Sequence, residues 1–131
     1  MKFAIALSCP AHSPSARRAL AFAQAVVEQG HTVERVFFYQ EAVYLALDTA
    51  VLPQDEQDQS KAWQHFVQTH QLDAVVCIAA ALRRGVLDAS EAQRYQKTTS
   101  NLAKGFVLSG LGQWHDAVQL ADRAIWFGAD Q

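Results

Sequence analysis

The chain has 131 residues, half of them hydrophobic and 18% charged, with a formal net charge of -2. This length fits a single domain spanning residues 1–131 with a sizeable core. Mild acidity without a basic stripe argues against direct nucleic-acid binding, and no apolar stretch reaches the length of a membrane span.

The opening "MKFAIALSC" has too short an apolar run for a secretory leader, so it reads as a first strand, residues 2–8. A cytoplasmic location follows as an expectation, and there Cys9 and Cys77 would be reduced thiols rather than a disulfide. "CPAHS" is a loop. A helix then begins after Ser13 as N-cap, with Pro14 in its first position and Gly30 just past its end. Ala19, Leu20, Phe22, Ala23, Val26 and Val27 give it a broad apolar stripe.

Residues 32–38 form a second strand, "QEAVYLALDTA" a short helix, and "VLPQDEQDQS" a surface loop. "SKAWQHFVQTH" is helical, with Ser60 as the expected N-cap and Trp63, Phe66 and Val67 on one face. "LDAVVCI" is a third strand. Asp88 and Glu91 have capping-box spacing for a helix near 89–97. "GFVLSG", "LGQWHDAVQLA" and "DRAIWFG" complete the pattern as strand, helix and strand. Strands alternating with helices predict a three-layer α/β/α fold with a mainly parallel five-stranded sheet of flavodoxin-like type, its strand order unspecified.

In such a sheet, chemistry gathers at the C-terminal ends of the strands. Strand one delivers Cys9, Pro10 and His12 there, strand two Tyr39 and Glu41, and strand three Cys77. Cys77 has two readings. Within "AVVCIA" it is good core sequence, since free cysteine is among the most buried residue types. If a helix starts at "AAALRR", its free first-turn amides instead favour a thiolate, which is the nucleophilic form. Arg83 and Arg84 add positive charge, or simply suit the helix C-terminus.

The other candidates carry less. Cys9 with His12 is only two ligands, short of a metal site. His65 and His70 are wrongly spaced to share a metal on one helix; His31 and His115 have no evident partner. "SGLG" lacks the lysine of a phosphate loop and reads as a tight turn. Trp63, Trp114 and Trp126 read as core.

"VFFYQEAVY", "AWQ", "CIAAALRRGV", "SNLAKGF" and "LSGLG" resemble, in order and spacing, the blocks of the DsrE-like sulfur-relay family across essentially the whole chain. The resemblance implies a doubly wound domain within a heterohexamer, alongside TusB-like and TusC-like subunits. It aligns the sulfur-carrying cysteine with Cys77. It implies a sulfurtransferase that accepts a persulfide sulfur from a TusA-like donor and relays it to a TusE-like acceptor, for 2-thiolation of tRNA wobble uridine. A DsrE-like carrier in dissimilatory sulfur oxidation and a non-catalytic scaffold subunit are the alternatives. A flavodoxin-like nucleotide binder is a further competitor, disfavoured by the missing phosphate loop. No metal or organic cofactor is implied. Cys9 stands where the family pattern leads one to expect glycine. Tyr39, Glu41, Arg83, Arg84, Ser100 and Asn101 are candidate neighbours or docking residues.

Overall fold

The computed structural model describes residues 1–129. Five parallel strands form one sheet: β1 (Lys2–Leu7), β2 (Thr32–Phe38), β3 (Ala74–Cys77), β4 (Phe106–Ser109) and β5 (Arg123–Phe127). Their order is β4-β3-β2-β1-β5. The helices are α1 (Pro14–Glu28), α2 (Gln59–Thr69), α3 (Ile78–Arg83), α4 (Ala89–Arg94) and α5 (Gly112–Leu120), with a 3-10 segment at Gln40–Ala46.

The order explains the layers. Steps from β1 to β2 to β3 to β4 all move one way across the sheet, so right-handed crossovers put their helices on one face. The step from β4 to β5 runs back across the whole sheet, which puts α5 on the other face. Neighbouring residues of the central strand report the split. Phe38 meets Trp63 of α2 edge-on at 5.3 Å, whereas Phe37 lies 6.2 Å from Trp114 of α5. Successive side chains on a strand point to opposite faces, so the two helices cannot share one.

The expected core is present. Ala4 to Leu7 of β1 and Val36 to Phe38 of β2 are fully buried, as strands covered on both faces require. Each aromatic or aliphatic side chain buried this way contributes about 1.5–3 kcal/mol. The lone helix α5 covers its face incompletely. Only Ala117 of α5 is buried, and Val107, Leu111, Leu120 and Trp126 remain about half exposed. Trp126 therefore departs from the expectation of three core tryptophans. It lies on the edge strand β5, edge-on to Trp114 at 5.5 Å, and donates from Nε1 to Ser8 Oγ at 2.8 Å.

Helix ends follow local chemistry. Ser13 Oγ accepts from the Ala16 amide at 3.2 Å, with Pro14 next, as the N-cap reading requires. Gly30 has φ +81, the left-handed turn that ends α1. Helix α2 is capped by Asp58, not Ser60: its carboxylate accepts from the Lys61 amide at 3.1 Å, a better acceptor two residues earlier. Ser60 is buried under the 3-10 segment instead, facing the Tyr44 carbonyl. Asp88 caps α4 through the Glu91 amide at 2.8 Å, but the helix ends at Arg94 rather than near 97. Gln96 turns left-handed at φ +57, and the Lys97 amide closes back on the Ala92 carbonyl at 2.8 Å. No helix of the described residues is long and apolar enough to cross a membrane.

Candidate functional site

Cys77 is the last residue of β3 and the N-cap of α3. Its side chain makes no cap hydrogen bond. In the sheet it is registered against Ser109, the last residue of β4. The chain leaving β3 enters α3, which packs on the 3-10 segment and through it on α2. The chain leaving β4 enters α5 on the opposite face. Adjacent strands whose exits diverge to opposite faces leave a crevice between them, and this is where doubly wound sheets bind and react. Cys77 stands at that switch point.

The crevice is a cleft of about 470 Å³ lined by Tyr39, Gln40, Glu41, Cys77, Arg83 and Arg84, with Leu111 on the far side. Cys77 is 3% exposed, so its thiol is recessed, yet it lines the wall of an open cleft. Cys9 is 0% exposed and lies within the hydrophobic core. Both cysteines belong to the same buried cluster, and Cys77 also borders the cleft.

Both arginines of "LRRG" line the cleft, in different electrostatic states. Arg84 Nε donates to Glu41 Oε1 at 2.9 Å, and its Nη1 donates to the Ala80 carbonyl at 3.1 Å. Arg83 has no ion pair among the described residues and is exposed. It brings an unpaired positive charge to the cleft that Cys77 lines. Helix α3 has only six residues, so its field at Cys77 comes from the nearest free amides rather than from a long aligned dipole.

Tyr39 and Glu41 reach the cleft because β2 ends beside β3 and the chain then turns sharply. Gln40 makes the turn with φ +52, a conformation unusual for a residue with a side chain. Asn101 braces the loop and is not among the residues lining the cleft. Its Oδ1 accepts from the Leu87 amide at 2.8 Å and its Nδ2 donates to the Gly85 carbonyl at 2.9 Å, fixing the loop after α3. Ser100 is exposed beside it and is not among the residues lining the cleft.

The remaining candidates lie elsewhere. His12 is exposed while Cys9 is buried, and no group of three or more potential metal-binding side chains assembles among the described residues. His65 and His70 line a separate groove between α1 and α2. His31 Nδ1 contacts the N-terminal amine at 2.9 Å. "SGLG" is the turn from β4 into α5, as read from the sequence, but its Leu111 closes the Cys77 cleft. Sequence reasoning missed Gln40 and Leu111. Only the β3–β4 pairing brings the second within reach, and only the backbone angle marks the first.

The sequence model of the DsrE/DsrF-like family matches residues 1–127. A Pseudomonas aeruginosa protein named "Sulfurtransferase TusD homolog" is 56% identical over 131 residues, covering 100% of both chains. A Vibrio parahaemolyticus protein of the same name is 47% identical over 115 residues, 88% of each chain. "Sulfurtransferase TusD" of an Enterobacter species is 43% identical over 128 residues, 97% of this chain and 100% of that one. Among solved structures, the ychN protein from E. coli superposes with a TM-score of 0.74, covering 96% of this chain and 97% of its own, at 20% identity. That likeness carries the fold alone.

Proposed function

The chain belongs to the DsrE/DsrF-like family, and on that premise we propose that it is a TusD-type sulfurtransferase that carries sulfur as a persulfide on Cys77. One observation supports this reading above the others: Cys77, buried in the core like Cys9, also borders a cleft at the strand ends where such sheets react.

The chemistry is thiol exchange at a sulfane sulfur. The Cys77 thiolate attacks the outer sulfur of a donor persulfide; the donor S–S bond breaks and the donor leaves as a thiolate. Cys77 is now a persulfide. An acceptor thiolate attacks its outer sulfur, and Cys77 departs as a thiolate, ready for another cycle. Each step makes one S–S bond and breaks one, so no external oxidant or reductant enters. Rates follow thiolate fraction, nucleophilicity and access. Arg83 brings an exposed positive charge to the cleft in which the anion on Cys77 forms.

A TusA-like protein is the donor and a TusE-like protein the acceptor, with TusB-like and TusC-like subunits completing a heterohexamer. The relay ends in 2-thiolation of tRNA wobble uridine, without this chain touching tRNA. The half-exposed apolar residues on the α5 face leave room for subunit contacts.

The test is loading from a persulfidated donor, followed by intact-protein mass spectrometry. Wild type and Cys9→Ser gain the mass of one sulfur, and Cys77→Ser gains none. Undiminished loading of Cys77→Ser overturns the assignment.

A further inference from the structure

The Cys77 cleft does not stand alone. A second groove of about 600 Å³ is lined by Ala79, Leu82, Arg83, Leu87, Tyr95 and Lys97. Ala79 and Arg83 belong to both linings, so the groove meets the cleft along α3. Its character differs from the cleft. Leu82, Leu87 and Tyr95 supply apolar surface, and Tyr95 is 51% exposed. Its charged lining is Arg83 and Lys97, both exposed, with no carboxylate among the lining residues. Neither has an ion pair among the described residues. Arg84, by contrast, is already neutralised by Glu41.

Access supplies the second half of the argument. With Cys77 only 3% exposed, a thiol on a broad convex surface cannot reach it. A partner must send in a narrow length of chain, and that chain must lie somewhere as it leaves the cleft. The groove beside α3 shares Ala79 and Arg83 with the cleft, offers apolar surface for side chains, and has positive charge with no carboxylate in its lining.

We propose that this groove docks an extended, acidic segment of the sulfur-exchanging partner, with Arg83 and Lys97 receiving its carboxylates. The inference rests on Cys77 being the sulfur-carrying thiol. It adds a specificity device: Arg83 and Lys97 select acidic thiol-bearing segments over neutral or basic ones.

The test uses the full chain and a short glycine-rich peptide with one cysteine, activated as its mixed disulfide with thionitrobenzoate. Cys77 attacks the peptide sulfur, the peptide–thionitrobenzoate bond breaks, and the released thionitrobenzoate anion reports the rate by absorbance. Three versions differ only in bearing two glutamates, two glutamines or two lysines. Each rate is divided by that of iodoacetamide alkylation of Cys77 in the same variant, which cancels changes in the thiol itself.

The glutamate peptide reacts about tenfold faster than the lysine peptide at low salt, the glutamine peptide falls between, and the spread narrows as salt rises. In the Arg83→Gln, Lys97→Gln double variant the three rates converge. Equal rates in wild type, or an ordering that survives in the double variant, overturns the proposal. So does an acidic preference that disappears as protein concentration rises, because a second copy of the chain then fills the groove. Persulfide loading on the same preparation separates the two readings. A wild type that loads sulfur but treats the peptides alike loses the groove and keeps the relay; one that fails to load loses both.

Discussion

Arg84 and Glu41 are joined across the wall of the Cys77 cleft by a 2.9 Å bond from Nε to Oε1. The pair ties the end of α3 to the first turn of the 3-10 segment. The Arg84 side chain is 21% exposed and that of Glu41 51%, so solvent screens the interaction. Glu41→Gln therefore lowers stability by less than about 1 kcal/mol. It frees one wall of the cleft, and alkylation of Cys77 by iodoacetamide speeds up by a few-fold. Urea unfolding and alkylation kinetics measure the two effects separately. A large stability loss without faster alkylation would show that the pair serves the core rather than the cleft.

The two cysteines differ in what exposes them. In the folded protein, iodoacetamide reaches Cys77 through the cleft, whereas Cys9 reacts only after the core opens. Mass mapping of labelled peptides across a urea series reads this directly. Cys9 labelling follows the global unfolding curve, and Cys77 labelling begins well before it. Coincident curves would contradict the cleft assignment.

Asn101 braces the loop that follows α3 with two side-chain hydrogen bonds. Asn101→Ala leaves the Leu87 amide and the Gly85 carbonyl without these partners and costs about 1–3 kcal/mol. Asn101→Asp retains the acceptor but sets a second carboxylate oxygen against the Gly85 carbonyl, so it recovers little of that loss. The two urea midpoints test the account; either variant as stable as the wild type would refute it.

Trp63 and Trp126 give stability losses of different size. Trp63 is fully buried against Phe38 and Phe66, and its Nε1 faces the Ala16 carbonyl at 3.4 Å. Trp63→Ala costs about 3–5 kcal/mol, a large share of the stability of a domain this size. Trp126 is 45% exposed, and truncating it costs about 1 kcal/mol, within the ordinary range for a single substitution. Equal losses for the two variants would mean that the isolated chain buries Trp126 more deeply than the structure shows.

Gln71 ends α2 in the left-handed conformation at φ +50, and the Leu72 amide closes the turn on the Val67 carbonyl at 3.0 Å. Left-handed geometry strains any residue with a Cβ, so Gln71→Gly relieves this cost, offset in part by the added freedom of the unfolded chain. A gain of up to about 1 kcal/mol in urea unfolding is the expected result. Lower stability would show that the glutamine side chain contributes more than its backbone costs.

Glycine and glutamine explain why helix ends were unevenly legible. Gly30 announces a left-handed cap because glycine adopts that geometry freely. Gln71 and Gln96 adopt it where the next amide closes back on the helix, Leu72 on Val67 and Lys97 on Ala92, and nothing in a glutamine signals that. This is why α4 was expected to run past Arg94. Asp58 over Ser60 is a similar case: both are good caps, and packing decided by burying the serine.

By itself the sequence determined the five strands, their alternation with helices and hence parallel pairing, because hydrophobic periodicity and cap residues act over a few neighbouring positions. Likewise it pointed to Cys77 as one of the residues at a strand end. Only the tertiary structure decided the strand order, and with it the divergence of chain exits beside Cys77 and Ser109. The unlike surroundings of Cys9 and Cys77, and of Arg83 and Arg84, were settled there too. The physical reason is that burial, ion pairing and clefts depend on which distant segments come together, and local patterning says nothing about that choice.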